Sequence, residues 1–186
     1  MTLVLASRSP QRRAILEQLG VPFVERPVDV VEEDAGVPEV VAAENALRKA
    51  LAAGAREGEI VLGVDTLVAT ELEIWGKPPN ATAAAETLKR LAGRTHRVVS
   101  GVALLRADGD VKSATAVTEV EFRAVDHALI DWYVAAGEWE GRAGGYAIQG
   151  RGAALVTRIE GDYLNVVGLP VATLVDLWPG LLLLIP

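Results

Sequence analysis

The feature that most constrains the fold is a pair of long strand patterns separated by a tight turn. Residues 96–105 and Val111–Phe122 are rich in β-branched and apolar residues, and Asp108-Gly109-Asp110 between them is typical of a hairpin. Helical patterns precede and follow this hairpin, and no linker, repeat or low-complexity tract separates them. The chain therefore predicts one domain over residues 1–186, in the α/β (mixed α+β) class.

The remaining segments alternate between helix and strand signals. Ser9 followed by Pro10 is typical of a helix N-cap with proline at the first helical position, and Gly20 ends that helix. Further helices are predicted at 38–54, Ala81–Leu91, 126–136 and Val171–Leu177. Extended segments are predicted at 3–6, 23–31 and 60–64, with a small hairpin at 67–75 and a strand pair at 153–159 and Tyr163–Val167.

Composition narrows the class of protein. Hydrophobic residues make up 51% of the 186 residues and charged residues 23%, which is typical of a globular protein. The absence of cysteine excludes disulfides, thiolate zinc sites and a cysteine nucleophile. The N-terminal residues carry no signal-peptide pattern, and Pro170, Asp176 and Pro179 interrupt the apolar C-terminal run. We therefore expect a cytoplasmic protein with no membrane partner.

The net charge limits the partners further. A formal charge of −7 does not suit non-specific nucleic-acid binding, which depends on a basic surface. The same charge repels a nucleotide at long range. A polyphosphate site therefore needs a local cluster of Arg, Lys and metal, and the position of the basic residues becomes the useful question.

One basic cluster lies where the first strand runs into the first helix, in Ser7-Arg8-Ser9-Pro10-Gln11-Arg12-Arg13. A helix N-terminus presents unpaired backbone N–H groups and the positive end of the helix dipole, a geometry that suits phosphate. The hydroxyl groups of Ser7 and Ser9 add donors, and Arg12 can bind phosphate through two N–H groups. An ordinary capped helix with solvated arginines also fits this segment.

Acidic residues occur in two places. The strand pattern 60–64 ends at Asp65, where a carboxylate can bind a metal or accept a proton from an attacking water. Glu32 and Glu33 belong to an acidic turn and could join Asp65 around a hard cation such as Mg²⁺. A helix-capping aspartate and a solvated turn are the structural alternatives.

Two lysines and one glutamine complete the candidates. Lys77 lies between Gly76 and Pro78, which fix the backbone around a cation suited to phosphate. Lys49 lies within a predicted helix. For Lys77 and for Lys49, the alternative to a phosphate contact is an ordinary solvated lysine. Gln149 lies in the glycine-rich loop 141–152 and offers a donor and an acceptor to a base edge; a tight structural corner is the alternative for this loop.

In their order along the chain, these motifs resemble the Maf family of nucleotide pyrophosphatases. The resemblance covers nearly the whole chain. It is carried by Ser7-Arg8-Ser9-Pro10-Gln11-Arg12, Glu32-Glu33, Lys49-Ala50, Gly63-Val64-Asp65-Thr66, Gly76-Lys77-Pro78, His96 through Gly101, Gly145-Tyr146-Ala147-Ile148-Gln149-Gly150 and Asn165-Val166-Val167-Gly168-Leu169-Pro170.

The resemblance implies a fold like that of the inosine triphosphate pyrophosphatases, with a long twisted mixed sheet, flanking helices and a deep cleft. It implies hydrolysis of a nucleoside triphosphate to the monophosphate and diphosphate, a Mg²⁺ or Mn²⁺ ion, and a homodimer. The catalytic residues that it implies are Asp65, Lys77, Glu33 and Lys49. The substrate-binding residues are Ser7, Ser9, Arg12, Arg13, Thr66 and Gln149, and the metal ligands are Asp65, Glu33 and Glu32.

The resemblance is not complete. Gln11 stands where many members have the first arginine of a pair, and Arg13 is expected to compensate for it. Arg142 stands where lysine is usual and keeps the charge. Thr66 and Gln149 favour the branch that acts on dTTP and UTP. A 7-methyl-GTP pyrophosphatase of the same family is an alternative, as is a nucleotide-binding regulator of septum formation or cell division with little catalysis.

Overall fold

A computed structural model describes residues 1–71 and 73–185. A seven-stranded mixed sheet runs through it in the order β2-β1-β3-β5-β6-β7, with the short β4 paired to β3 outside this path. The strands are β1 (Thr2–Leu5), β2 (Phe23–Glu25), β3 (Glu59–Ala69), β4 (Ile74–Trp75), β5 (Thr95–Arg106), β6 (Val111–Phe122) and β7 (Val156–Glu160). The strand β1 is parallel to β2 and β3, and every other pairing is antiparallel.

In the described part of the chain, six α-helices flank this sheet. They are α1 (Pro10–Gln18), α2 (Pro38–Ala53), α3 (Ala81–Leu91), α4 (His127–Ala135), α5 (Tyr163–Val167) and α6 (Val171–Leu177). Shorter 3₁₀ turns cover Ala143–Gly145, Arg151–Leu155 and Pro179–Leu184. Within the described ranges, no helix has the length and apolar character needed to cross a bilayer.

Both faces of the central strands are buried. Leu3, Leu5 and Leu62 on one face pack with α1 and the C-terminal helices. Val4 and Val61 on the other face pack with the alanines of α2. Apolar residues therefore run almost continuously through β1 and β3, as is typical of strands covered by helices on both sides.

Two glycines bring α2 unusually close to the sheet. A methyl group added at Gly63 of β3 would lie 2.1 Å from the Ala46 carbonyl oxygen, and one added at Gly101 of β5 would lie 2.1 Å from that of Ala42. Any side chain at either position would push α2 away, since interiors are packed without spare volume. This close approach lets side chains on the inner face of α2 reach β3.

The structure corrects three of the predicted elements. The strand β3 continues four residues beyond Asp65, so this aspartate lies inside the strand and not at its end. The segment 23–31 is a strand only at Phe23–Glu25. The third correction is Tyr163–Val167, which is a helix and not a strand: Asp162 Oδ1 accepts a hydrogen bond from the Leu164 N–H at 2.8 Å and caps it.

The other predicted elements are present with small shifts of their ends. The helices Ala81–Leu91 and Val171–Leu177 and the strand Val111–Phe122 match residue for residue. The predicted hairpin at 67–75 corresponds to the pairing of Val68 with Trp75 and of Ala69 with Ile74. Leu72, which the predicted hairpin includes, lies outside the described residues.

Candidate active site

A cleft of about 760 Å³ brings most of the predicted residues together. Its walls come from the turn between β1 and α1, the segment 28–34, Lys49 of α2, residues 65–68 of β3, the loop after β4, and residues 140–146. Nine predicted site residues line it: Ser7, Ser9, Arg12, Glu32, Glu33, Lys49, Asp65, Thr66 and Lys77.

Asp65 and Lys49 form the buried centre of the cleft. The Lys49 ammonium lies 2.6 Å from Asp65 Oδ1 and 2.6 Å from Glu32 Oε1, so one cation joins two carboxylates. Asp65 is 4% exposed and Lys49 is 8% exposed. A buried carboxylate of this kind requires a compensating charge, which Lys49 provides from the inner face of α2.

Asn45 is a member of this centre that the sequence analysis did not identify. Its Nδ2 donates to Asp65 Oδ2 at 3.0 Å and to the Glu33 carbonyl oxygen at 2.8 Å, while its Oδ1 accepts from the Glu33 N–H at 2.8 Å. Asn45 is fully buried, one helical turn before Lys49 on a face of α2 that is otherwise alanine and valine. A polar residue on a buried apolar face was the signal that could have identified it.

Glu32 and Glu33 occupy different positions in the cleft. The Glu32 carboxylate contacts Lys49. The Glu33 carboxylate binds Arg48 at 2.8 Å with half of its side chain exposed. Of the two acids, the structure therefore brings Glu32 to Asp65, and Glu33 contributes mainly through the backbone groups that Asn45 binds.

Arg12 organises the wall next to α1. Its Nε donates to the Gly168 carbonyl oxygen at 2.8 Å, Nη1 to Ser7 Oγ at 3.0 Å and Nη2 to Thr66 Oγ1 at 3.1 Å. Burial lowers the pKa of Arg12, and the nearby charges of Asp65 and Glu32 oppose this effect. A guanidinium group stays protonated in proteins, so Arg12 provides a fixed positive charge with spare N–H groups.

Ser9 begins α1 as predicted. Its side chain accepts a hydrogen bond from the Arg12 N–H, and its hydroxyl donates to Gln11 Oε1 at 3.1 Å. Thr66 is more heavily committed, because its hydroxyl contacts Ser100 Oγ at 2.9 Å in addition to Arg12. Thr66 therefore has little hydrogen-bonding capacity left for a ligand.

Two predicted residues are not brought to the cleft. Arg13 lies on the outer side of α1, where it pairs with Glu17 at 2.8 Å and Glu25 at 3.3 Å. Gln149 is exposed and does not line the cleft. The structure instead adds two arginines to the walls, Arg8 and Arg142.

One end of the cleft is apolar. Val68 and Val98, which are paired across β3 and β5, form it together with Tyr146 and Val166. The Tyr146 hydroxyl is held by His96 Nε2 at 2.9 Å, and burial raises the pKa of this tyrosine. Val68 is three residues from Asp65 along β3, or about 10 Å at the usual rise of a strand. The cleft therefore has a charged end and an apolar end.

Comparisons with known proteins show the family of this chain. The sequence model of the Maf-like protein family matches residues 2–179. The chain belongs to this family. A relative from Symbiobacterium thermophilum, named dTTP/UTP pyrophosphatase, is 47% identical over 90% of this chain and 88% of its own length. Relatives with the same name from Moorella thermoacetica and Pyrococcus furiosus are 46% and 39% identical, each over 94% of this chain and over 92% and 93% of their own lengths.

Among solved structures, a HAM1 protein from Coxiella burnetii has a similar fold. It aligns with a TM-score of 0.51 at 19% identity, over 83% of this chain and 92% of that one. The long mixed sheet, the flanking helices and the cleft of this Maf-like protein confirm the expected fold class.

The carboxylates of this Maf-like cleft suit a divalent ion that also takes ligands from elsewhere. Among residues 1–71 and 73–185, no three His, Asp or Glu side chains are arranged to hold a metal by themselves. A protein site for Mg²⁺ commonly supplies only one or two carboxylates and leaves the remaining positions to phosphates and water. Asp65 and Glu32 are such a pair, and each oxygen of Asp65 accepts one hydrogen bond and so keeps a free lone pair. The donor set fits a Mg²⁺ or Mn²⁺ ion that arrives with a polyphosphate.

Proposed function

We propose that this protein hydrolyses dTTP and UTP between the α and β phosphates and releases the nucleoside monophosphate and diphosphate. The observation that carries the proposal is the charged centre of the cleft, where Lys49 contacts Asp65 and Glu32 at 2.6 Å in a lining that also includes Arg8, Arg12 and Lys77. The names of relatives at up to 47% identity support the choice of substrate.

The charge distribution of the cleft supports a polyphosphate ligand. Arg8 and Arg12 line it from the turn between β1 and α1, and Lys77 from the loop after β4, in a chain whose net charge is −7. Arg12 is held rigidly by its three acceptors, so no ordering cost falls on it when substrate binds. Such pre-positioned cations stabilise charge that develops in phosphoryl transfer, where catalysis depends mainly on position and electrostatics.

In the proposed reaction, a water oxygen bonds to the α phosphorus while the bond from that phosphorus to the bridging oxygen breaks. The negative charge that appears on the departing diphosphate is balanced by Arg12 and Lys77. Asp65 is the residue positioned to accept the proton of the water or to hold the metal, because it lies at the centre of the cleft with free lone pairs.

We propose that Asp65 and Glu32 hold the divalent ion, with Glu33 as a further candidate. When bound, such an ion supplies Lewis-acid polarisation of a phosphoryl oxygen. Lys49 orients both acids in the absence of substrate, since its ammonium contacts each of them.

We further propose that the base lies at the apolar end of the cleft, against Val68, Val98 and Tyr146. Binding sites for planar ligands are commonly apolar with a few placed polar groups.

The test is diphosphate release from UTP, dTTP, 5-methyl-UTP, CTP and 7-methyl-GTP, with Mg²⁺ or Mn²⁺. We expect metal-dependent release of diphosphate and monophosphate, fastest with UTP and dTTP. A preference for 7-methyl-GTP would move the protein to the other branch of the family. Nucleotide binding without diphosphate release would favour the regulatory alternative, and release of single phosphates would contradict the proposed bond cleavage.

The assembly and location of the protein stay predictions. We propose a homodimer in the cytoplasm, without nucleic-acid or membrane partners. Light scattering coupled to size-exclusion chromatography tests the assembly, because a dimer would elute with twice the 19.7 kDa mass of the chain. A mass of one chain across the working concentration range would exclude the dimer.

A further inference from the structure

The centre of the cleft already contains a cation that belongs to the chain. The Lys49 ammonium lies 2.6 Å from Asp65 Oδ1 and 2.6 Å from Glu32 Oε1, the two carboxylates proposed to hold the divalent ion. It also donates to the Val64 carbonyl oxygen at 3.4 Å. Without nucleotide, the positive charge between the two acids is therefore that of Lys49.

A divalent ion cannot join these acids without coming close to Lys49. Mg²⁺ binds an oxygen ligand at about 2.1 Å, so an ion on Asp65 Oδ1 or Glu32 Oε1 would lie within about 5 Å of the ammonium. Asp65 and Lys49 are both buried, so water screens the repulsion between the two cations only weakly. While Lys49 contacts the acids, it opposes the binding of a free ion.

The charges of the centre are balanced without a metal. Arg12 is a second cation near the two acids, since the charges of Asp65 and Glu32 oppose the lowering of its pKa by burial. Two carboxylates thus face two cations, and a free divalent ion would leave an excess of positive charge in a buried site. An ion that arrives with a polyphosphate brings anionic oxygens with it, so it does not create this excess.

The backbone of α2 holds Lys49 in this place. A methyl group added at Gly63 of β3 would lie 2.8 Å from the backbone nitrogen of Ala50, the residue after Lys49, so helix and sheet are in close contact there. The ammonium can therefore leave the acids only by rotation of its own side chain. Separating it from buried Asp65 is costly unless another cation takes its place.

We propose that Lys49 is an internal cation that keeps free divalent ions off Asp65 and Glu32 until a nucleotide binds. This inference rests on the proposed function, in which these two acids hold the ion. It has two consequences for the nucleotide-free protein. The wild-type protein binds Mn²⁺ weakly, and removal of the Lys49 charge creates a stronger Mn²⁺ site.

The experiment measures Mn²⁺ binding in the absence of nucleotide, from the electron paramagnetic resonance signal of free Mn²⁺. The wild-type protein is compared with Lys49→Met, because methionine keeps the apolar part of the side chain and removes the charge. We expect Lys49→Met to bind Mn²⁺ at least about tenfold more tightly than wild type. If Lys49 only stabilised the fold, its loss would disorder the acids and would not strengthen Mn²⁺ binding.

Two controls identify the cause of the gain. Lys89 of α3 pairs with Glu86 at 2.7 Å and does not line the cleft, so Lys89→Met changes the net charge equally at a distant place. We expect its Mn²⁺ affinity to match wild type. The double variant Lys49→Met with Asp65→Asn should lose the added affinity, because the new site uses the Asp65 carboxylate.

The stability of Lys49→Met gives a second measurement. The variant leaves a buried carboxylate without its cation, so we expect a lower melting temperature than wild type. Mn²⁺ should raise the melting temperature of Lys49→Met more than that of wild type, since a bound ion stabilises the folded state. If the variant is unfolded without metal, circular dichroism in millimolar Mn²⁺ shows whether the ion restores the fold.

Four results would overturn the proposal. They are equal Mn²⁺ affinity of Lys49→Met and wild type, a gain that Lys89→Met shares, a gain that survives Asp65→Asn, and a Lys49→Met protein that stays unfolded in Mn²⁺.

Failure of the proposed function is recognised separately, because these measurements use no nucleotide. A wild-type protein that releases no diphosphate, together with a Lys49→Met variant that gains Mn²⁺ binding through Asp65, would contradict the enzymatic proposal and leave the role of Lys49 standing. Diphosphate release by wild type without a gain in Lys49→Met would contradict only the role of Lys49.

Discussion

The Asn45 side chain donates from Nδ2 to Asp65 Oδ2 at 3.0 Å, while the same amide group binds both backbone polar groups of Glu33 at 2.8 Å. One buried residue on α2 thus connects the central carboxylate of the cleft to the irregular segment that carries Glu32. The orientation of Asp65 and the position of that segment are therefore coupled.

Replacing Asn45 with leucine tests this coupling. Asn45→Leu has a similar size, and it removes three hydrogen bonds and leaves the Glu33 backbone groups unpaired. We expect a loss of about 1 to 3 kcal/mol in the free energy of unfolding and a decrease of kcat of at least about tenfold. Chemical denaturation and diphosphate release measure the two effects.

Glu44→Leu is the matched control for Asn45→Leu. Glu44 is the preceding residue of α2, and about half of its side chain is exposed beside Arg48. We expect little change in stability or turnover. Equal turnover of Asn45→Leu and wild type would show that Asn45 does not position Asp65.

Asp65→Asn tests the central carboxylate itself. The amide keeps the shape of the side chain and removes the charge that faces Lys49 at 2.6 Å. We expect diphosphate release to fall by at least about a hundredfold, with the fold retained. Circular dichroism and the release assay check these outcomes, and Asp176→Asn on the exposed side of α6 is the control. Near-normal turnover of Asp65→Asn would remove Asp65 from the mechanism.

Much of the fold could be predicted because its local signals agree with the tertiary structure. The helix Ala81–Leu91 follows an asparagine that caps it, since Asn80 Oδ1 accepts from the Ala83 N–H at 2.9 Å. The strand Val111–Phe122 follows a turn in which Gly109 has a φ of +88°, a conformation that glycine adopts readily. At both places, the residue that the turn requires is visible in the sequence.

The helix Tyr163–Val167 was predicted wrongly although its capping residue, Asp162, is visible in the sequence. Its residues include tyrosine and two valines, which favour strands. Tertiary contacts decide the outcome, because buried Asn165 donates from Nδ2 to the Val98 carbonyl oxygen and to Thr118 Oγ1, both at 3.0 Å. These partners lie on β5 and β6, far away in the sequence, so local propensity gives no information about them.

Only part of the candidate site could be predicted, because tertiary packing decides which side chains reach the cleft. Motifs identify residue types, and nine of the predicted residues do line the cleft. The direction of a helical side chain depends on packing, which places Arg12 inside and its neighbour Arg13 outside. Asn45 has no charge and no local motif, so only the approach of α2 to β3 reveals its contact with Asp65.

Gly101→Ala tests whether the close approach of α2 builds the site. The added methyl group would lie 2.1 Å from the Ala42 carbonyl oxygen, so α2 must move. We expect a destabilisation of about 1 to 3 kcal/mol together with reduced turnover, because Asn45 and Lys49 move away from Asp65. Thermal unfolding and diphosphate release measure both effects.

Gly76→Ala is the stability control for Gly101→Ala, because nothing lies within 4 Å of a methyl group added at Gly76. We expect its melting temperature to stay near that of wild type. Normal stability and turnover of Gly101→Ala would contradict the dependence of the site on helix–sheet distance.

Arg12 and Arg13 provide a comparison between adjacent arginines. Arg12→Gln removes donors to Gly168, Ser7 and Thr66 inside the cleft, so we expect it to reduce both the stability and the affinity for nucleotide. Arg13→Gln removes exposed ion pairs with Glu17 and Glu25, which contribute little to stability. Thermal unfolding and UTP titration measure the difference. A larger loss of affinity in Arg13→Gln would support the sequence prediction that Arg13 binds substrate.

His96 should make the stability of the protein depend on pH. Burial lowers its pKa from the ordinary value of 6.5 to about 4, and its Nδ1 has no hydrogen-bond partner. At pH values between about 4 and 6.5, His96 binds a proton in the unfolded chain but not in the native protein. The free energy of unfolding is therefore highest above pH 6.5. It falls by about 3 kcal/mol through this residue as the pH decreases towards 4.

Denaturant unfolding at several pH values between 7 and 4.5 measures this loss, with His96→Gln as the comparison. Glutamine does not titrate and can still contact the Tyr146 hydroxyl, which lies 2.9 Å from His96 Nε2. The hydrogen bond with Arg26 lowers the pKa of Glu59 to about 2. Glu59 therefore loses its contribution to the free energy of unfolding only below about pH 4.5, outside the pH range of this measurement. We expect the wild-type protein to lose stability more steeply than His96→Gln as the pH falls. Parallel curves for the two proteins would show that His96 is not the residue that titrates.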